Sequence, residues 1–499
     1  MRKNFERIFI VLISFCLAFS GCTGAQIATP TSTATIPPTA SPGLTTIPIP
    51  TITPIPLPAL AWHPGDSYFS INGRPAFVFS RNPAGYVLDD WVTLAGMAHQ
   101  QGDQFLRLYM NSAAMGGYHG FGYSPTGEIL EDWSYNWEHF FDVAEADGLY
   151  VLPIFWSWIE WNDTGYNTWA NNPFNSANGG PAKEPQEIFK KDSPTQQLYL
   201  KWFKNLVTRW QAHKNILAWE GASEVNLING ISQPEGIYLA QQLAKVVLEA
   251  DSLHRPVATS LADWSGWSEF LHSDAVDFIN FHPYPPAGDL DRRILEQVPL
   301  LLNTYHKPIL VGESGLNAAT PDSADGKVTV APNSRTGLQH AIWAQLVSGA
   351  MNGRALWWED GVGSYFPALG MPWVQKFTDV EAPIVRFVEG VDMTGFKPIV
   401  AQASGKLFGA ALGNEKMIIG WYRDALCEPP DWNVQPVVSK QTVTLTVSGM
   451  APNWQVDFYS AKTGIDIISS TTVTQQASAI TITLPDFADD IAFKIHVQK

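Results

Sequence analysis

Cysteine is nearly absent: three in 499 residues, at 16, 22 and 427. No disulfide framework can be built from them, because Cys16 falls in an N-terminal apolar run and a Cys22–Cys427 bridge would tie a flexible arm to the far end of the chain. Charge is also sparse, at 16% of residues, and the net charge is −16 with no Lys/Arg-rich run. That balance excludes a nucleic-acid partner and suits a neutral polymer better. The 11 His form no His-x-x-x-His pair joined to an acid, so no metal and no cofactor is expected. No internal repeat is visible, which argues against a solenoid. The longest N-terminal apolar run, Ile8 to Phe19, is too short to span a bilayer.

What is present begins with that run. Preceded by Arg2, Lys3 and Arg7, it reads as a secretory signal over residues 1–21. Phe19-Ser20-Gly21-Cys22 resembles the bacterial lipoprotein cleavage box, which implies lipidation of Cys22, although Phe19 departs from the aliphatic residue usual there. An ordinary secretion signal is the alternative. Residues 22–58 form a tether: from 23 to 58 there is no charge, with 10 Thr and 9 Pro. Such a stretch cannot bury enough apolar surface to fold, and at polyproline rise it spans on the order of 110 Å. The chain is therefore expected to be exported, at the cell surface on a lipid anchor in the membrane or otherwise secreted.

From residue 59 to 392 apolar runs alternate with helical patterns. The runs are Ala76–Ser80, Phe105–Met110, Tyr150–Phe155, Ile216–Glu224, Pro256–Ser260, Val276–Tyr284, Pro308–Glu313 and Arg354–Trp358. Between them the clearest helices are Asp89–Gln101, Asn136–Ala146, Thr195–His213, Pro234–Asp251, Leu290–Tyr305 and Ser334–Ala350. Eight strand–helix units over about 300 residues predict a parallel α/β fold, a (β/α)8 TIM barrel. Tyr68 to Pro75 reads as a hairpin turning at Asn72-Gly73. Beyond about Asp392 helical signals stop, and short alternating runs predict an antiparallel β-sandwich over residues 396–499, a cap on the barrel or a carbohydrate-binding module.

Two of the barrel runs end in glutamate, at Glu224 and, 89 residues on, at Glu313. A strand end on a barrel is where catalytic groups gather, and a pair of carboxylates there is the equipment for glycoside hydrolysis. The region resembles clan A of the glycoside hydrolases, the cellulase- and mannanase-like enzymes of family 5 and relatives. Trp219-Glu220-Gly221-Ala222-Ser223-Glu224 is similar to the strand-four pattern that ends in the acid/base. Lys307-Pro308 through Gly315 is similar to the strand-seven pattern that ends in the nucleophile. Phe278-Ile279-Asn280-Phe281-His282-Pro283-Tyr284 resembles strand six, Gly102 through Arg107 resembles strand two, and Trp357-Trp358 resembles the strand-eight Trp that floors the sugar site.

The resemblance implies a protonated Glu224 as acid/base and an ionised Glu313 as nucleophile, supported by Arg107, His282 and Tyr284. Arg107 has a second reading as a buried ion pair to another acid, and His282 a second reading as plainly structural. Glu220 is the rival to Glu224 and is read as inward-facing and structural. Ser223 stands where the clan has Asn, whose amide contacts the sugar 2-hydroxyl; serine is shorter, which puts that contact, the rate and the substrate in question.

Trp is abundant, with 20 in all and 14 between Trp133 and Trp358. Many must be core, with about a third to a half of the 14 near a cleft. Substrate contacts are expected from Trp156, Trp158, Trp264, Trp267 and Trp358, with Asn82 and Asn111 as polar contacts. Trp156, Trp158 and their neighbour Trp161 have loop packing as their other reading. The expectation is a retaining β-glycosidase on polysaccharide or oligosaccharide. The alternatives are a binding protein that has lost turnover on the same barrel and a surface transglycosylase.

Overall fold

The computed structural model describes residues 56–498 apart from 64, 83–87, 112–120, 163–167, 317–332, 358–376, 378, 434–435 and 448–452. The leader, the tether up to residue 55, Cys22 and Trp358 lie outside the described residues.

Three short strands come first: β1 (Leu60–Ala61), β2 (Phe69–Ile71) and β3 (Arg74–Ala76), in that order in an antiparallel sheet. Asn72 and Gly73 turn the β2–β3 hairpin with φ of 51° and 78°. Both signs are positive, as a tight primed turn requires, and this is why an Asn-Gly pair stands there.

Eight parallel strands follow: β4 (Val78–Arg81), β5 (Phe105–Tyr109), β6 (Tyr150–Ile154), β7 (Trp219–Ala222), β8 (Val257–Thr259), β9 (Ile279–Phe281), β10 (Ile309–Val311) and β11 (Asn352–Arg354). Six pair in the order β11-β4-β5-β6-β7-β8, and β9 pairs β10. Two bridges, Leu261 to Phe281 and Ser314 to Leu356, join the two sheets and close the barrel. Six strands are expected runs trimmed at their ends; β4 runs one residue past Ser80, and β11 meets the expected Arg354–Trp358 only at Arg354.

Nine helices lie among the described residues: α1 (Leu88–Gln101), α2 (Glu131–Ala146), α3 (Thr168–Asn171), α4 (Pro194–Trp210), α5 (Gln233–Ala250), α6 (Ser268–His272), α7 (Leu290–Tyr305), α8 (Ser334–Ser348) and α9 (Ala382–Val388). Local chemistry sets their ends. The Ser193 hydroxyl accepts from the Gln196 amide at 3.0 Å ahead of Pro194, Ser232 and Glu235 form a capping box, and Gly349 ends α8 at φ 95°. Helix α4 buries Tyr199, Trp202, Phe203, Leu206, Val207 and Trp210, a stripe at helical spacing.

Alternation along the strands sorts the core. Inward side chains Val78, Phe105, Leu152, Ala258 and Leu310 pack with Leu60, Trp62 and Phe69, so the hairpin plugs one end of the barrel. Outward neighbours such as Phe79, Leu106, Leu108, Val151, Trp219 and Ile309 join the helices in the main core. Nine of the 14 Trp in this region are buried packing residues, with Trp202, Trp210 and Trp219 around Phe155, which leaves five, the low end of the expected share.

The C-terminal strands are β12 (Lys397–Ile399), β13 (Ala401–Ala403), β14 (Leu407–Gly413), β15 (Met417–Asp424), β16 (Thr442–Thr446), β17 (Asn453–Ser460), β18 (Ile467–Thr474), β19 (Ala479–Thr483) and β20 (Asp490–Val497). They form two antiparallel sheets, β12-β14-β15-β20-β17-β18 and β13-β16-β19, around a separate apolar core that includes Trp454, Val456, Leu445 and Ile482. This is a sandwich. Its other side is not free: Trp421, Ala492, Cys427, Trp432 and Ala461 belong to the same core as barrel helix residues. The ring of Trp432 lies directly over Gly337 of α8, where a Cβ would sit 2.4 Å from it.

Candidate active site

The site grows from the inward residues at the C-terminal ends of the strands. On β5, Arg107 and Tyr109 are two apart and share the inner face. Arg107 reaches two acids. Its Nε and Nη2 bind the Glu220 carboxylate at 2.7 Å each, and its Nη1 binds Glu313 Oε1 at 2.8 Å. Arg107 is therefore both paired to a buried acid and in contact with Glu313, with Glu220 aiming the guanidinium.

Strand β7 departs from plain alternation. Glu220 pairs with Ala258 but Ala222 pairs with Thr259, so a bulge falls at Gly221. One extra residue reverses the facing of everything after it. Glu220 and Ser223, three apart, consequently both point inward: the Ser223 hydroxyl lies 3.2 Å from Arg107 Nη2 and 3.0 Å from the Tyr109 hydroxyl. Glu224 then takes a left-handed backbone, φ 54°, with its N–H donated to the Ser260 hydroxyl at 3.0 Å. A non-glycine residue in that conformation is strained, and its neighbours must hold it there.

Glu313 follows β10, after Gly312. A Cβ on Gly312 would meet Asn280 Oδ1 at 1.9 Å, so only glycine lets β9 and β10 approach this closely here. Glu313 is 4% exposed and accepts from Arg107, Tyr109 and, at 3.0 Å, the Tyr284 hydroxyl. His282 Nδ1 lies 2.8 Å from Glu224 Oε1 and 3.7 Å from Glu313 Oε2. Even spacing along the chain turns Asn280, His282 and Tyr284 to one face. An oxygen of Glu224, an oxygen of Glu313 and a ring nitrogen of His282 all lie within 4.8 Å of one another.

The two carboxyls have opposite electrostatics. Burial pushes Glu224 up and the Glu313 charge pushes it further, while His282 and Arg107 oppose this without reversing it. Burial also works against the charge on Glu313, but His282, Arg107 and the Tyr109 hydroxyl outweigh it and hold that carboxyl below the usual range. Burial first, and the Glu313 charge second, push both the Tyr109 and Tyr284 hydroxyls far up, so both stay protonated as donors. By distance alone Glu224, His282 and Glu313 could hold a cation. Arg107 and two tyrosines already occupy Glu313, so a cation would have to displace them.

Other expected contacts fall elsewhere. Asn111 spends both amide atoms on backbone, donating to the Phe155 carbonyl and accepting from Gly122 N–H at 2.9 Å each, so it shapes a loop. Asn82 is fully buried with Oδ1 3.5 Å from Arg107 Nη1, so it backs the arginine. Trp156 is 1% exposed and packs on Trp161 and Phe189; it is a loop-packing residue. Trp267 lies over Gly236 of α5 and against Phe270, where it seats α6. Trp158 and Trp264 are half-buried beside the segments that carry Ser223 and Glu224. Trp357 sits edge-on to Tyr109 with centroids 5.3 Å apart. Sequence reading missed Tyr109 and Ser260; for Tyr109 the signal was its spacing of two from Arg107.

No family model and no curated protein matches the chain. Among solved structures, one described as a glycoside hydrolase is similar with TM-score 0.58 and 11% identity, over 88% of this chain and 97% of that one. A glycoside hydrolase family 5 protein from Bacteroides vulgatus is similar with TM-score 0.58 and 12% identity, over 88% of this chain and 93% of that one. At such identities the likeness is one of fold, and the chain has the fold of structures described as glycoside hydrolases.

Proposed function

We propose that the chain is a retaining β-glycoside hydrolase, with Glu313 as nucleophile and Glu224 as acid/base. The observation that carries this reading is the pair of buried carboxyls within 4.8 Å, one pushed toward its protonated form and the other held ionised. Carboxyls separated by roughly 5–5.5 Å suit double displacement, because no water fits between nucleophile and sugar. Glu313 attacks the anomeric carbon while Glu224 gives its proton to the leaving oxygen. Glu224 then takes a proton from the water that releases the sugar. Arg107, Tyr109 and Tyr284 hold Glu313 in place, and His282 orients Glu224.

The substrate we propose is a β-linked polysaccharide or its oligomers, of the cellulose or mannan kind, read by Trp158, Trp264 and the Trp357-Trp358 pair. The Ser223 hydroxyl is already engaged by Arg107, Tyr109 and Ser260, so a contact to the sugar 2-hydroxyl falls to another group. That engagement is also what favours the second reading, a binding protein with weakened turnover; hydrolysis of aryl β-glycosides separates the two. A transglycosylase would use the same residues and differ in acceptor. We also propose export with lipidation at Cys22; Cys22→Ser should then move the protein from the membrane to the soluble fraction.

The test of roles is azide rescue. With Glu224→Ala and an activated leaving group, the covalent intermediate should form and linger, and azide should speed turnover to a glycosyl azide of retained configuration. With Glu313→Ala, azide entering the vacated space should give the inverted product. Exchanged outcomes would reverse the roles, and hydrolysis slowed less than about a hundredfold by either change would remove the site.

A further inference from the structure

A second group of metal-competent side chains lies outside the cleft, where barrel and sandwich meet. His340 on α8, Cys427 after β15 and Asp489 before β20 bring an imidazole nitrogen, a thiol and a carboxylate within 4.8 Å of one another. His340 Nε2 is 3.0 Å from Asp489 Oδ1 and 3.8 Å from Asp490 Oδ2, and Cys427 Sγ is 3.4 Å from Asp489 Oδ1. All four residues are buried. A tetrahedral ion with bonds of about 2.0 Å to N and O and about 2.3 Å to S sets its donors roughly 3.3–3.6 Å apart. Separations of 3.0 and 3.4 Å about Asp489 Oδ1 lie close to that window, so small side-chain shifts suffice.

The charges around the group point the same way. Facing the two aspartates are His340, the Trp421 indole N–H on Asp490 Oδ2 at 3.0 Å, the Cys427 thiol on Asp489, and Lys462 at 4.0 Å from Asp489 Oδ2, which is itself largely exposed. Two buried carboxyl groups and a thiol thus face one imidazole, with Lys462 largely in solvent and the nearby Arg423 guanidinium turned to Asp291, a setting that favours a bound cation. Besides this, His340 Nδ1 is buried with no hydrogen-bond partner among the described residues, so the ring is held by its packing on Trp421 and by the carboxylates that Nε2 faces. A mixed N, S and O set suits a zinc-class ion and is a poor match for calcium or magnesium, which take oxygen.

We propose that His340, Cys427 and Asp489 form a structural site for a zinc-class divalent cation that pins the sandwich to α8, with Asp490 beside it. All three donors are buried in the seam between barrel and sandwich, away from the cleft, so the site holds the fold and performs no reaction. Binding releases the thiol proton, and the imidazolium proton where one is present, to solvent; no oxidation is involved. The site stands independently of the glycosidase reading.

The test uses the full chain, stripped with chelator and reloaded with zinc or cobalt alone. One zinc per chain should survive gel filtration and raise Tm. The cobalt form should show thiolate-to-metal charge-transfer absorption. Cys427→Ser should lose that band and bind cobalt at least about tenfold more weakly, since loss of even an outer partner costs that much. Zinc absent at stoichiometry, or cobalt bound by the parent without a thiolate band, would overturn the site; so would the same band in Cys427→Ser. The parent's spectrum decides alone if that variant does not fold.

Discussion

Tyr109 ties three functional groups together through one hydroxyl: it donates to Glu313, touches Ser223 and lies against the ring of Trp357. Its hydrogen bond favours the ionised form of Glu313. Tyr109→Phe should therefore raise the Glu313 pKa and cost about ten- to a hundredfold in kcat/KM, the worth of one bond to a charged group. Under the proposed roles, the sign of the pH dependence follows from the two carboxyls. Glu313 works ionised and is held low, so activity is lost as pH falls through its pKa. Glu224 works protonated and is pushed up, so activity is lost as pH rises through its pKa. In Tyr109→Phe the acid limb of the kcat/KM profile should move to higher pH. A profile superimposable on the parent's would remove Tyr109 from the site.

Among the elements that carry the site, β7, β9 and β10 each do so by a different device. On β9 strict alternation suffices. On β10 a glycine admits Asn280, and Gly312→Ala should force that side chain or the backbone aside at a cost of about 1–3 kcal/mol. Urea unfolding measures the loss, and kcat/KM should fall with it because Glu313 is the next residue. A variant as stable and active as the parent would mean that the contact is not tight. On β7 the bulge at Gly221 does what no periodicity announces. The apolar run Ile216–Glu224 was legible as a strand from its residues, and so was its acidic end. That Glu220, Ser223 and Glu224 all serve one site depends on the bulge and on a left-handed residue, both settled by packing against neighbouring strands. Strand β18 carries no alternating pattern for another reason: Ile467 to Thr474 is exposed almost throughout, so no face needed to be apolar.

At the scale of the whole molecule, the sandwich shares its core with the barrel. Trp421, Trp432, Ala461 and Ala492 pack with helix residues, and Arg423 pairs with the buried Asp291 of α7 at 2.6 Å. Deleting residues 396–499 should bare this apolar surface and leave Asp291 unpaired, so little soluble barrel should be recovered. A soluble barrel of full activity that had lost only its binding to insoluble polysaccharide would instead make the sandwich a binding module.

The order of strands and helices, the Asn72-Gly73 turn and the glutamates at two strand ends were written in the sequence, because burial imposes a period and a turn imposes a residue type. Which Trp line a cleft was not: Trp156 and Trp267 are as aromatic as Trp264, and only the neighbours they pack on separate them. The same holds for the partners of Arg107, which come from β7 and the end of β10, 113 and 206 residues away. Local chemistry is carried by neighbours in the chain and survives in the sequence. Contacts and pKa values are carried by neighbours in space, and barrel closure alone chooses those.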